Sequence, residues 1–180
     1  MDSTGQSFES IEAAGVTARM ERWGAVASLR YCNASAMAPR VHKVLGTALP
    51  ATLAAVRVPN AGGVDVILAW RSPTETLLVS SDSAPIVALQ AELSDAMDGC
   101  VVDQTGGIAV LRLNGERSAD VLVRIGSSAT VPNQGAALTG RLAELSVLAM
   151  RVGKPEIILL VDRVYADHLF GWIRATVEDF

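Results

Sequence analysis

Slid along itself by 82 residues, this chain meets a copy of its own pattern. GAVASLRY at 24–31 falls on GGIAVLRL at 106–113, Leu49-Pro50 on Val131-Pro132, Pro73 on Pro155, and Leu77-Leu78-Val79 on Leu159-Leu160-Val161. Laid over each other without gaps, residues 24–94 and 106–176 share 14 identities in 71. That count is a modest excess for an Ala-, Val- and Leu-rich chain. The coincidence of turn prolines with strand triplets says more, because both fix where the chain must change direction. The repeat therefore predicts two similar halves packed on each other. Each is expected to be a β-α-β-β-α unit resembling a ferredoxin-like half, in one α+β domain. The pseudo-repeats are placed at about 24–97 and 106–177, within a single domain over 16–180, after a flexible polar tail over 1–15.

The local patterns fill in that plan. Gly24–Tyr31, Val64–Trp70 and Thr76–Ser80 read as strands, with Arg71 to Glu75 as the hairpin turn between the last two. Ala38–Leu45 reads as a helix with Pro39 in its first turn and Gly46 as its stop. Ser83 is expected to cap a second helix, whose Ile86, Leu89, Leu93 and Ala96 recur at helical spacing. In the second half Cys100–Thr105, Ile108–Leu113, Ala136–Leu142, Leu145–Val152 and Glu156–Val161 read as strands. Glu116–Ile125 is expected to be a helix facing inward through Ala119, Leu122 and Ile125, and Val164–Val177 is the final helix.

Composition narrows the function classes. Half of the 180 residues are hydrophobic and 19% are charged, which is a core-forming rather than a disordered balance. Aromatics make up only 4%, so the core must be aliphatic. The 15 basic and 19 acidic residues include no basic run, which argues against nucleic acid and anionic membrane as partners. The opening MDSTGQSFES has neither the basic nor the apolar region of a secretory signal. The densest aliphatic run, Ile157–Val161, falls far short of the ~20 residues that span a bilayer. Cys32 and Cys100 have no paired spacing and read as reduced residues buried near strands, as in a cytoplasmic protein.

Motifs for chemistry are missing. Gly153-Lys154 leads into Pro155 rather than completing a phosphate-binding loop, and no dinucleotide fingerprint, zinc motif or nucleophile elbow occurs. The expectation is a chain with no catalytic residue, no metal ligand and no cofactor-binding residue. Two stretches run against that expectation. Asp103-Gln104-Thr105-Gly106-Gly107 has the acid and glycines of a ligand loop, but reads better as a tight turn with glycine at positive φ. Asp167 and His168 are adjacent on a helix and diverge by about 100°, so they do not converge on one reacting atom.

The same helix carries an aromatic flank. Ala166, Leu169, Phe170, Ile173 and Val177 make the expected inward stripe, while Tyr165, His168 and Trp172 fall at i, i+3 and i+7 beside it. In a chain this poor in aromatics, that second stripe is a candidate partner interface. The alternative is that Trp172 covers a sheet edge inside the monomer.

The order of segments resembles the gamma subunit of heterotetrameric sarcosine oxidase. Val64–Trp70 followed by Ser72-Pro73-Thr74-Glu75-Thr76-Leu77-Leu78 is similar to that family's W-L-G-P-D-E-W-L-L stretch. Asp103-Gln104-Thr105, Ala109–Leu113, Gly115 and Ala119 resemble its D-x-S turn, strand and G-x-x-A-x-x-L-L helix. Leu160-Val161-Asp162-Arg163 with Ala166-Asp167 and Trp172 resembles its closing helix. The family's G-C-x-x-D-L is here Gly126-Ser127-Ser128-Ala129-Thr130-Val131, and its hairpin Trp is Thr76.

The resemblance implies a fold like the folate-binding domain of glycine-cleavage aminomethyltransferases. It also implies a non-catalytic subunit whose alpha, beta and delta partners complete a flavoenzyme that oxidatively demethylates sarcosine. FAD, FMN, NAD and tetrahydrofolate are then expected on those partner subunits, and zinc on the delta subunit. The equivalent subunit of an N-methylglutamate-type dehydrogenase, a self-standing folate-binding one-carbon protein and a homo-oligomeric structural protein are the other readings.

Overall fold

Continuous aliphatic runs such as Ile67-Leu68-Ala69 and Ile157 to Val161 have no polar face, so strands made of them must be covered on both sides. A computed structural model, which describes residues 10–13, 15–21, 25–61 and 63–180, shows how. The first half runs β1 (Ser10–Ala13), β2 (Val16–Glu21), β3 (Ala25–Tyr31), α1 (Ala34–Leu45), β4 (Ala55–Ala61), β5 (Val64–Ser72), β6 (Glu75–Ser80) and α2 (Ala84–Glu92). The second runs β7 (Gly99–Asp103), β8 (Ile108–Asn114), α3 (Ser118–Ile125), β9 (Ala137–Leu142), β10 (Leu145–Met150), β11 (Ile157–Asp162) and α4 (Ala166–Glu178), with 3-10 turns at Ser128–Thr130 and Arg163–Tyr165. The strands form two antiparallel sheets, ordered β1-β2-β8-β11-β10-β9 and β4-β5-β6-β3-β7.

The two sheets pack face to face and the helices cover their outer faces. Val26, Ile67, Leu77 and Val79 meet Ile108, Val110, Leu148, Ile158 and Leu160 in the space between sheets. The alternate residues of the same strands face outward: Ala27 and Leu29 lie with Val41 and Leu89 under α1 and α2. Leu111 and Leu159 lie with Leu122 and Phe170 under α3 and α4. Period-two alternation thus fills an inner core and two outer cores with apolar residues.

The duplicated α+β plan holds in three dimensions. The order β4-β5-β6-β3 in one sheet matches β9-β10-β11-β8 in the other. Counted from β3 and β8, each half is β-α-β-β-β-α, one strand richer than the β-α-β-β-α plan; β9 is the expected strand over Ala136–Leu142, whereas β4, like β2 before it, was not expected. Its Pro59 argues against a central strand, and β4 indeed lies at a sheet edge, where a missing N–H breaks no ladder. The flexible tail expected over 1–15 does not hold at Ser10–Ala13, which pairs with β2; residues 1–9 lie outside the described residues.

The halves exchange their leading strands. The strand β7, which opens the second half, adds to β3 of the first, and β2, which opens the first half, adds to β8 of the second. At the other side of the sandwich the edge strands meet through Ala54 and Ala136. The Ala55 N–H donates to the Gly135 carbonyl and the Ala137 N–H to the Leu53 carbonyl, both at 2.8 Å. Leu53 and Gly135 share positive φ, at 60° and 76°. Ala54 and Ala136, like Leu53 and Gly135, are 82 positions apart, and the same offset turns one of the two hydrogen bonds into the other, so the axis of internal symmetry passes through this bridge. The offset does not survive to the end of the repeat. Leu77 and Val79 face the inner core, whereas Leu159 and Val161 face the helices, so β6 and β11 correspond with an odd extra shift.

Three local expectations need correction. The helix α1 starts at Ala34 rather than Ala38, leaving Pro39 inside it, because the Asn33 side chain accepts from the N–H groups of Ser35 and Ala36 and starts the helix a turn early. For α2 the side-chain cap is Asp82, which accepts from the Ala84 N–H, and Ser83 makes none. Cys32 and Cys100 are free as expected, but exposed rather than buried.

Candidate functional site

The last helix, α4, buries Ala166, Leu169, Phe170, Ile173 and Val177, the stripe its spacing predicts, together with Thr176. The aromatic flank stays outside: Trp172 is 52% exposed and Tyr165 48%. His168 is exposed one turn before Trp172, and both line an open cleft of about 700 Å³ with Arg124, Gly126, Arg141 and Glu144. Tyr165 belongs to the 3-10 turn that leads into α4 and does not line this cleft, although Val164 beside it is 83% exposed. The structure therefore brings together two of the three flank residues.

The cleft exists because α3 ends early. Its first-half counterpart α1 runs twelve residues, whereas α3 has eight and breaks at Gly126. A Cβ at Gly126 would lie 2.6 Å from the Leu142 side chain and 2.8 Å from the Arg141 carbonyl. Only glycine lets the end of β9 press this close to the helix end. Arg141 pairs with Glu144 at 2.9 Å, and the Arg117 and Arg124 guanidinium groups lie 3.6 and 4.3 Å from the centre of the Phe180 ring. Arg124 and Arg141 sit on different elements, α3 and β9, and no periodicity in the sequence links them.

The aromatic flank has no twin in the first half. Matching the buried residues Pro85, Ile86, Leu89 and Leu93 with Leu169, Phe170, Ile173 and Val177 places Ala84 opposite His168 and Ala88 opposite Trp172. Ala84 and Ala88 are exposed as well. Two helices with the same inward stripe thus differ on their outer face.

The Asp103 stretch is a turn. The Thr105 N–H donates to Asp103 at 2.8 Å, and the Thr105 hydroxyl is bonded to the backbone of Val26. Gly106 and Gly107 do not take the positive φ expected of them. Arg163 clamps the turn to the start of α4 by donating to the carbonyls of Thr105, Gly106 and Ile108. Hydrogen bonding from Thr105, through its side chain and then its backbone, holds the Asp103 carboxyl below the usual range. A depressed carboxyl stabilises the fold above its ordinary pKa and loses that contribution as the pH falls through its lower folded value. In denaturant melts Asp103→Asn should therefore cost stability at neutral pH, and the gap to wild type should close below about pH 4. A gap that stays constant into acid would contradict this.

Asp167 and His168 are exposed neighbours and do not converge. Among the described residues no group of three or more His, Cys, Asp or Glu is placed to hold a metal ion, and no helix is long and apolar enough to cross a membrane.

Residues 31–179 match the model of the sarcosine oxidase, gamma subunit family. The chain belongs to that family. A sarcosine oxidase subunit gamma from Corynebacterium sp. (strain P-1) is 28% identical over 143 residues, covering 77% of this chain and 68% of the relative. Among solved structures, heterotetrameric sarcosine oxidase from Corynebacterium sp. U-96, in complex with pyrrole 2-carboxylate, contains a chain that superposes with a TM-score of 0.77 at 25% identity. That match covers 92% of this chain and 85% of the other. The glycine cleavage system aminomethyltransferase T from Bartonella henselae superposes with a TM-score of 0.61 at 14% identity, over 83% of this chain and 42% of the other. That last likeness is one of fold, and it agrees with the aminomethyltransferase-like plan expected from the gamma subunit family.

Proposed function

We propose that this chain is the gamma-type subunit of a flavin-dependent heterotetrameric sarcosine oxidase, that it carries no active site, and that it supports assembly through the outer face of α4. Family membership over residues 31–179 is the observation that carries the reading. The partners are the alpha, beta and delta subunits, which bind the flavins, NAD and tetrahydrofolate, and the complex works in the cytoplasm. A flavin held by those subunits would supply the two-electron oxidation of the N-methyl amine, and this chain contributes no residue to that step.

The half-exposed Trp172, next to His168 and matched by alanine in the other half, is the best anchor for a partner. Trp172→Ala should leave the chain within about 0.5 kcal/mol of wild-type stability. Co-expressed with the other subunits, it should weaken association by about thirtyfold, the effect of losing an anchor worth about 2 kcal/mol. Wild-type recovery of the complex with Trp172→Ala would remove α4 from the interface. Recovery of wild-type chain without any other subunit would remove the assembly reading itself.

A further inference from the structure

The internal symmetry marks a second surface, at the free edge of β7. In each half the leading strand is donated to the other half's sheet, so β2 and β7 occupy equivalent places. The outer edge of β2 is covered by β1, through the register Ser10↔Arg19 to Ala13↔Val16. The outer edge of β7 ends its sheet, and no described strand pairs with it.

The ladder shows which groups that edge presents. The Cys32 N–H donates to the Asp98 carbonyl and the Gln104 N–H to the Val26 carbonyl. The even-numbered residues of this stretch therefore bond inward to β3, and alternation turns the N–H and C=O of Gly99, Val101 and Asp103 outward. An open strand with its backbone groups aligned is a template for another strand. Native edges are commonly guarded by lysine, proline or a bulge, and β7, with the sequence GCVVD, has none of these.

Charge selects the occupant. Exposed Asp98 and Asp103 stand at the two ends of the edge, and β7 itself carries no basic residue. Val101 and Val102, between them, are partly buried. A second copy of this chain is a poor fit: antiparallel self-pairing centred on Val101 sets Asp98 of each copy one residue from Asp103 of the other, at both ends. We propose that the β7 edge is a β-augmentation site for an extended partner segment with alternating apolar residues and basic residues at both ends, doing for this sheet what β1 does for the other. The site is separate from the α4 face.

The test uses the full-length chain and a labelled peptide of alternating valine and threonine flanked by arginines, read by fluorescence anisotropy. Saturable binding is expected, weakened by about tenfold or more when the flanking arginines are replaced by glutamates or when alternate peptide amides are N-methylated. Val101→Pro removes an outward N–H without touching the ladder to β3 and should abolish binding. Asp98→Lys, a surface change that sets a positive charge against the remaining Asp103, should remove most of the preference for the basic over the acidic peptide. No binding at millimolar peptide, equal binding of the acidic peptide, or binding unaffected by both variants overturns the proposal. A dimer whose formation is blocked by Val101→Pro also overturns it, in favour of a second copy. None of these outcomes depends on whether Trp172→Ala weakens the oxidase assembly.

Discussion

Phe170→Ala should destabilise the chain by about 3–5 kcal/mol, the usual cost of deleting a fully buried ring. Phe170 is 2% exposed and packs under α4 with Leu111, Leu122, Leu159 and Ile173 in the outer core of the second half. Leu111 and Leu159 come from strands paired on both sides, so they can close little of the cavity. Thermal unfolding should shift down by about 6–20 °C for a domain of this size, and the urea midpoint should fall with little change in slope. Trp172, two residues further along the same helix, is the internal comparison: a larger side chain whose removal should cost the lone chain far less. Equal destabilisation by the two variants would mean that Trp172 packs within the monomer after all.

Arg112→Met should cost up to about 3 kcal/mol, because it removes the cation shared by two nearly buried carboxylates and leaves Glu21 only the more exposed Arg19 and Glu156 only Arg57. Arg112 on β8 donates its Nε to Glu21 of β2 at 2.7 Å and Nη1 to Glu156 just before β11. Glu156 also accepts from Arg57 of β4 at 2.9 Å, and Arg57 reaches Asp65 of β5 at 3.4 Å. The chain of charges thus ties one sheet to the other at the end of the sandwich. Arg112, Glu21 and Glu156 are only 16, 16 and 13% exposed, so water replaces a lost partner poorly. Adding Glu156→Gln to Arg112→Met should recover part of the loss in denaturant melts. By contrast, breaking the exposed pair Arg141–Glu144 should change stability by no more than about 0.5 kcal/mol. If the double variant is as unstable as the sum of its singles, the network is not the cause.

Much of this was legible in the chain before any coordinates. The inward stripe of α4 follows from 3.6-residue periodicity, and all five residues expected on it are buried. The strands around Leu77-Leu78-Val79 and Leu159-Leu160-Val161 follow from aliphatic runs bounded by turns, and the duplication follows from their recurrence. Family membership was readable for a similar reason, since a loose motif repeated in the right order over most of a chain is specific even when each part is not. These are signals held within a few neighbouring residues, or in their order.

What the tertiary structure alone decided is of another kind. Which sheet takes β2 and which takes β7 depends on the edges left open once both halves have folded, and nothing in VTARME or GCVVD carries that information. The odd shift between β6 and β11 turns on one residue, which flips a strand's faces yet barely alters an alignment. Asn33 starts α1 early because its side chain meets two unpaired N–H groups, a competition that Pro39 seemed locally to settle. Cys32 and Cys100 are apolar enough for a core, but Cys32 falls in the turn between β3 and α1 and Cys100 on the edge strand β7, and both are exposed. The sequence determined its strands, its helices and its family through local and ordered patterns. Strand exchange, the cleft at Trp172 and the open edge of β7 were decided by long-range pairing, where the free energy belongs to surfaces that exist only after the halves have met.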